Sequence, residues 1–285
     1  MNLTLRLGVP EDAERCGTIC YEAFKAIAEQ HHFPPDFNSP QVPAATFRTR
    51  LSHPGFHVIV AEVDGRVAGS NVLDERSTIA GLGPITVDPA FQNQTIGRSL
   101  MQAALDRVHE RGFPGVRLLQ AAFHNRSLSL YTKIGFEVRE PMSVMQGPAI
   151  RRTIDGFTVR RAAEVDVPSA NRVCEGVHGH NRAGELLDAI ARGAAMVVER
   201  DGRITGYSSG LGYAGHAVAE SNLDLGALIA SAEGFQGPGI LVPTRNFSLL
   251  RWCLENGLRV VQPMNLMTIG MYKEPVGAYL PSILY

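Results

Sequence analysis

The sequence predicts an α/β fold with a mixed sheet, built twice in tandem, and three pairs of matched stretches predict it. Residues 3–20, LTLRLGVPEDAERCGTIC, match residues 157–174, FTVRRAAEVDVPSANRVC, with Thr, Arg, Asp and Cys coinciding at one constant offset. Residues 60–69, VAEVDGRVAG, match 197–206, VVERDGRITG; alternating apolar residues flank an Asp-Gly dipeptide, the mark of a tight hairpin. Residues 125–145, NRSLSLYTKIGFEVREPMSVM, match 246–267, NFSLLRWCLENGLRVVQPMNLM, with one residue inserted, an alignment that sets Tyr131 against Trp252. Three matches in the same order mean two copies of one unit. The 285 residues suit two domains of about 150 each. The expected boundaries are 1–147 and 157–273, followed by an apolar tail, 274–285.

Along the first copy, LTLRL alternates and reads as a strand over 3–7, followed by a helix over 10–24, a long loop and a second helix over 43–51. The hairpin joins strands 57–63 and 66–73 across Asp64-Gly65, and a further strand, 79–87, runs into the loop DPAFQNQT. Ile96, Leu100, Ala104 and Val108 form a helical stripe, and Gly112 is placed to cap that helix. Strand 116–122, helix 127–134 with Gly135 behind it, and strands within 136–146 complete the unit.

With 45% hydrophobic and 19% charged residues and a net charge of −1, the composition is that of a folded globular protein. Near-neutral charge argues against nucleic acid as a partner, and neither a signal peptide nor a run of about 18 apolar residues is visible, so no membrane role and a cytoplasmic location are expected. Cys16 and Cys20 lie one helical turn apart and Cys174 and Cys253 are isolated, so buried free thiols are expected rather than disulfides. His31 and His32, like His178 and His180, lack a third ligand at suitable spacing, and no metal is expected.

Residues 88–101, DPAFQNQTIGRSLM, carry the chemistry. A helix amino terminus presents unpaired N–H groups and about half a positive charge, so a loop that enters it closely at Gly97 is an anion site. The bland alternative is a plain turn with Thr95 as an ordinary N-cap.

This stretch, together with NRSLSLYTKIGF and the element order, resembles the GNAT superfamily of acetyl-CoA-dependent acyltransferases. The resemblance implies two tandem GNAT (acyl-CoA N-acyltransferase) folds. In such a fold the backbone of Ile85, Thr86 and Val87 splays from its neighbour and pairs with the pantetheine arm of acetyl-CoA. The amides of Gln92, Asn93, Gln94, Thr95, Ile96, Gly97 and Arg98 cradle the pyrophosphate. The family's Arg/Gln-x-x-Gly-x-Gly/Ala pattern falls on Gln92, Thr95 and Gly97, so threonine replaces the first glycine; a positive φ there would cost on the order of 1–2 kcal/mol. The family's asparagine position falls on His124, with Asn125 beside it, and either can face the cofactor. Tyr131 matches the general acid. A phenol near pKa 10 protonating a thiolate near 8.5 is uphill by about 2 kcal/mol.

The implied activity is transfer of the acetyl group to an amine of a small-molecule acceptor, by direct attack through a tetrahedral intermediate. An alkylamine is about 0.1% neutral at pH 7, so a base is needed. Asp74, Glu75, Glu22 and the segment HHFPPDF at 31–37 are candidates; there Phe33 and Phe37 could wall a pocket and Asp36 could pair with a cationic substrate. In the second copy Ser221 and Asp224 align with Gln92 and Thr95, and carboxylates at 220 and 224 would repel a pyrophosphate. That copy is therefore expected to be degenerate, with a binding, shaping, dimerising or purely structural role. Its tail is expected to cover a domain or subunit face, the latter making a homodimer. A non-catalytic acyl-CoA sensor and a protein-modifying acetyltransferase are the rival readings.

Overall fold

The two Asp-Gly dipeptides turn two hairpins. Asp64 and Gly65 have φ of 49° and 77°, and Asp201 and Gly202 have 52° and 73°, left-handed values that match the twist of the strands they join. The first turn links β2 (Phe56–Val63) to β3 (Arg66–Asp74), the second β8 (Met196–Arg200) to β9 (Arg203–Ser208). A computed structural model describes residues 2–285. In it the first copy runs β1 (Leu3–Leu7), α1 (Ala13–Gln30), α2 (Gln41–Leu51), β2, β3, β4 (Ala80–Val87), α3 (Ile96–Glu110), β5 (Gly115–Ala121), α4 (Asn125–Lys133) and β6 (Glu137–Gln146). The second runs β7 (Thr158–Arg161), α5 (Val167–His178), α6 (Ala183–Ala191), β8, β9, β10 (Ala217–Ala219), α7 (Asn222–Ser231), β11 (Ile240–Pro243), α8 (Phe247–Glu255) and β12 (Arg259–Gly270), and then the tail strand β13 (Ala278–Leu280).

The duplication extends to side chains. Arg6 pairs with Asp12 at 2.7 Å and with Glu62 at 2.7 Å, while Asp12 accepts from the Val9 amide at 2.9 Å. Arg160 repeats this with Asp166 at 2.7 Å and Glu199 at 2.6 Å, and Asp166 accepts from the Ala163 amide at 2.8 Å. Each network ties the first strand of a copy to its hairpin and to the start of its first helix.

The last strands are where the two copies stop being separate. The eight-stranded sheet has the order β1-β2-β3-β4-β5-β12-β6-β11. β12, from the second copy, pairs antiparallel with β5 (Leu266↔Leu119), and β6, from the first, pairs antiparallel with β11 (Val144↔Leu241). The expectation that strands within 136–146 close the first copy is thus corrected: one strand forms there, and it lies between two strands of the other copy. Alternation specifies which face of a strand is buried, and both sheets offer the same kind of apolar face, so the pattern is silent about the partner. A second sheet, β13-β10-β9-β8-β7, belongs to the second copy.

α3 and α4 pack on the large sheet through Leu100, Met101, Ala104 and Tyr131, joined by Phe136 just beyond α4, all buried. The tail packs inside the chain. β13 adds to the edge of β10, Tyr279, Leu280, Leu284 and Tyr285 are buried, and a Cβ on Gly81 would collide with the Leu284 carbonyl. Cys16, Cys20, Cys174 and Cys253 are buried free thiols.

Candidate active site

β4 and β5 run parallel and pair only at Ala80↔Val116 and Gly81↔Arg117, then part. From Leu82 to Val87 the edge of β4 that faces β5 has no strand beside it, and an unpaired strand edge is a row of hydrogen-bonding groups awaiting a partner. The gap opens into a cavity of about 660 Å³ walled by Ile85, Thr86 and Val87. That volume lies within the range of small-molecule sites.

The amino terminus of α3 opens on the same cavity. Its N-cap residue, Thr95, has φ of 66° and makes no capping hydrogen bond; its hydroxyl instead donates to the Gln94 carbonyl at 2.6 Å. The plain N-cap alternative is therefore not what forms. Asn93 is also left-handed, at 65°, a region that Asn tolerates and β-branched Thr disfavours. The turn leaves the first-turn amides of α3 uncapped. Below it Asp88 accepts from the Ala90 amide at 2.8 Å and pairs with Arg15, and Gln92 Nε2 donates to the Val87 carbonyl at 3.2 Å. Gln92, Asn93, Thr95, Ile96, Gly97 and Arg98 all line the cavity; Gln94 does not.

At the head of α4, His124 lines the cavity and Asn125 is exposed outside it. Burial, with help from Arg126 and His31, pulls the His124 imidazole down to about 4, so it is neutral at pH 7, and its Nε2 is buried without a partner. Arg126 adds a cation to the 88–95 loop, its Nη2 donating to Gln92 Oε1 at 2.7 Å and its Nη1 to Asn93 Oδ1 at 3.2 Å. Tyr131 is 8% exposed and lines the cavity, and burial raises its phenol above the ordinary value.

Asp36 is the one carboxylate among the described cavity-lining residues. Burial raises it to about 6, against the opposing pull of Gln262, whose Nε2 donates to Oδ1 at 3.3 Å, and of Tyr213, whose hydroxyl faces Oδ2 at 3.5 Å. Both partners come from the second copy. Phe37 lines the cavity as well, whereas Phe33 stands behind the wall, stacked on Phe123 at 4.2 Å. The other candidate bases are engaged or outside: Asp74 pairs with Arg76 at 2.6 Å, Glu75 with Arg107 at 2.8 Å, and Glu22 is exposed. Among the described residues no group of three or more His, Cys, Asp or Glu is arranged to hold a metal ion. No helix there is long and apolar enough to cross a membrane.

Residues 21–136 match the family described as Acetyltransferase (GNAT). The chain carries a GNAT-family domain. A mycothiol acetyltransferase of Nocardia farcinica is 36% identical over 63 residues, 22% of this chain and 21% of that protein, so the match spans about a fifth of the relative's length. A protein of Pyrococcus horikoshii, provisionally described as an acetyltransferase, superposes with a TM-score of 0.77 at 18% identity, over 97% of this chain and 92% of the other. A tandem GNAT protein from the clavulanic acid biosynthesis pathway, solved without AcCoA, superposes at 0.57 with 12% identity, over 94% and 98%. At these identities the structural likenesses concern the fold, which is that of two GNAT units in tandem.

The second GNAT unit lacks each feature that opens the first. The loop before the helix is shortened: residues 88–95 separate β4 from α3, but only 220 and 221 separate β10 from α7. Ser221 caps α7 by accepting from the Asp224 amide at 3.3 Å. Asp224 does not stand where Thr95 stands, as the sequence alignment had it. It lies inside the first helical turn, wholly buried, and accepts from Thr205 Oγ1 at 2.6 Å. The edge of β10 that would correspond to the free edge of β4 is covered by β13 (Ala217↔Leu280, Ala219↔Ala278).

The counterpart of Tyr131 is also corrected. The Phe136 amide donates to the Tyr131 carbonyl at 3.0 Å, and the Leu258 amide to the Cys253 carbonyl at 3.0 Å, so the helix ends superpose Tyr131 on Cys253 rather than on Trp252. The inserted residue falls before α8 rather than after it. Cys253 is wholly buried and its thiol is pushed up to about 12.

Sequence reasoning missed Arg126, Tyr213 and Gln262. Arg126 adjoins the His124-Asn125 pair and could have been found by extending the motif one residue. Tyr213 and Gln262 carry no local signal, because both belong to the second unit: Gln262 arrives on the exchanged strand β12, and Tyr213 lies in the loop between β9 and β10.

Proposed function

We propose that this protein is an acetyl-CoA-dependent N-acetyltransferase with one working site, in unit 1–147, acting on the amine of a small-molecule acceptor. The observation that carries the reading is convergence: a free strand edge, an uncapped helix amino terminus and a lone carboxylate raised to about 6 face one cavity. The residues suit acetyl-CoA. The open edge over 85–87 offers main-chain groups to an amide-bearing arm, and the amides of Thr95 to Arg98, with Arg98 and Arg126 near, offer donors and charge to a diphosphate. Bound there, the coenzyme supplies an acetyl thioester.

Asp36 accepts the proton that an ammonium acceptor must lose, leaving the nitrogen lone pair free to form the new N–C bond. A carboxyl near 6 is ionised at neutral pH and is a stronger base than an ordinary aspartate. The free edge of β4 would supply an amide donor to the thioester carbonyl oxygen, stabilising the negative charge that develops there. As the C–S bond breaks, Tyr131 gives its proton to sulfur, the nitrogen, cationic after attack, loses its second proton through cavity solvent to the tyrosinate, and Asp36 returns its own proton to solvent. His124, neutral and with Nε2 unpartnered, can accept a hydrogen bond from the coenzyme. The second unit, 157–273, holds Asp36 in place through Tyr213 and Gln262 and closes the acceptor end of the cavity.

Acetyl transfer is also what the name of the Nocardia relative states, and its match lies in a fraction of its length, so the acceptor is not carried over. The test is thiol release from acetyl-CoA across a panel of small amines. Amine-dependent release supports the reading; saturable acetyl-CoA binding without turnover on any amine would favour a sensor, and turnover only on a protein amine would favour a protein-modifying enzyme.

A further inference from the structure

Arg50 is a buried cation that no protein anion answers. It lies in the last turn of α2, is 8% exposed and lines the cavity, and its guanidinium makes no hydrogen bond or ion pair with any described residue. The nearest carboxylate whose charge reaches it, Asp74, is taken by Arg76, which donates from Nε to Oδ1 at 2.9 Å and from Nη2 to Oδ2 at 2.6 Å. Arg50 sits 5.9 Å from the centre of the Phe56 ring, at the limit of a cation–π contact, and that contact satisfies no N–H donor. Burial draws the guanidinium down to about 10, which leaves it charged at neutral pH.

A desolvated guanidinium without a partner is costly to keep, and its planar fork fits a carboxylate or phosphate. The cavity that Arg50 and Asp36 both line also has an apolar wall, formed by Phe24, Ile27, Phe37 and Phe47 on and beside α1 and α2. Asp36 and Arg50 share this cavity without being partners of each other.

We infer that the acceptor is amphoteric: an amine presented to Asp36, an apolar body along the α1/α2 wall, and an anionic group, carboxylate or phosphate, received by Arg50. This rests on the reading of the site as an amine acetyltransferase. It adds that Arg50 selects acceptors by charge.

The test uses matched acceptors in which an apolar body separates the amine from the anion: 6-aminohexanoate against hexylamine, 4-(aminomethyl)benzoate against benzylamine, and 6-aminohexyl phosphate against 6-aminohexanol. The wild-type protein should show at least a tenfold higher kcat/KM for the anionic member of at least one pair, the phosphate pair distinguishing the two anion types. Arg50→Met should collapse that ratio toward one through KM, and Arg50→Lys should restore part of it. A second readout needs no turnover: acetyl-CoA-loaded protein titrated with phenylpropionate and, in parallel, phenyl phosphate should bind at least one, and Arg50→Met should weaken that binding at least tenfold. Preference for the neutral amine in every pair, binding of neither anion, or an Arg50→Met protein of native melting point that keeps the preference would overturn the inference. Loss of acetyl-CoA binding itself, or the absence of any amine-dependent thiol release while the anions still bind, would strike the functional reading and leave Arg50 an anion site.

Discussion

Gln262 Nε2 donates to Asp36 Oδ1 at 3.3 Å across 226 residues of chain, so the second unit grips the one carboxylate in the first unit's cavity. β12, which carries Gln262, reaches that position because it is inserted beside β5. On the proposed reading, a unit without a coenzyme site of its own still influences the protonation and orientation of the group that receives the substrate's proton.

Asp36→Asn is expected to lower kcat/KM for amines by about 10²–10⁴, the usual size of general-base assistance. In the wild-type protein kcat/KM should fall as pH drops through about 6, where Asp36 takes up its proton. Steady-state rates from pH 5 to 9 check both, and a profile in Asp36→Asn identical to wild type would contradict the assignment.

The same carboxyl makes a stability prediction of opposite sign. Its folded value, about 6, lies above the ordinary 3.8, so the folded protein binds this proton more tightly than the unfolded chain does. Its contribution to stability is full below about pH 4 and is lost as pH rises through 6, by at most about 3 kcal/mol. Asp36→Asn should consequently melt higher than wild type at pH 8 and no higher at pH 4, which calorimetric scans at the two pH values will show.

Tyr131→Phe should reduce turnover at least tenfold while leaving acetyl-CoA affinity within a factor of about two, since only the proton on sulfur is removed. Burial raises the phenol, so it stays protonated through neutral pH and no limb of the rate profile near pH 7 belongs to it. Unchanged turnover would remove Tyr131 from the acid role.

Thr95 carries local backbone strain at φ of 66°, and Thr95→Gly should relieve it. Relief of about 1–2 kcal/mol, less roughly 0.5–1 kcal/mol for the freer unfolded chain, leaves a net gain of up to about 1.5 kcal/mol. Chemical denaturation measures it, and acetyl-CoA binding should persist. Ser221→Ala, which removes the cap of α7, should instead cost about 1 kcal/mol and leave acetyl-CoA binding untouched.

Much of the fold was legible because its signals are local. The Asp-Gly hairpins, the Ile96 to Val108 stripe and the Gly112 stop, with φ of 69°, all follow from residues within one element. α1 runs on to Gln30, six residues beyond the expected 24, because nothing in KAIAEQ breaks a helix. The strand exchange was not legible: β6 and β12 share an apolar pattern that fits either sheet. In the site, the loop could be read from its own residues and Tyr131 from the family resemblance, but the choice of Asp36 over Asp74 and Glu75 could not. It depends on Arg76 and Arg107 having already engaged the other two.

A crystal structure with saturating acetyl-CoA tests the central claim most directly. The expected result is diphosphate density on the amides of residues 95–98, with the pantetheine arm along 85–87 and none at residues 221–224. Density at the start of α7, or a first-unit cavity without coenzyme, would contradict it.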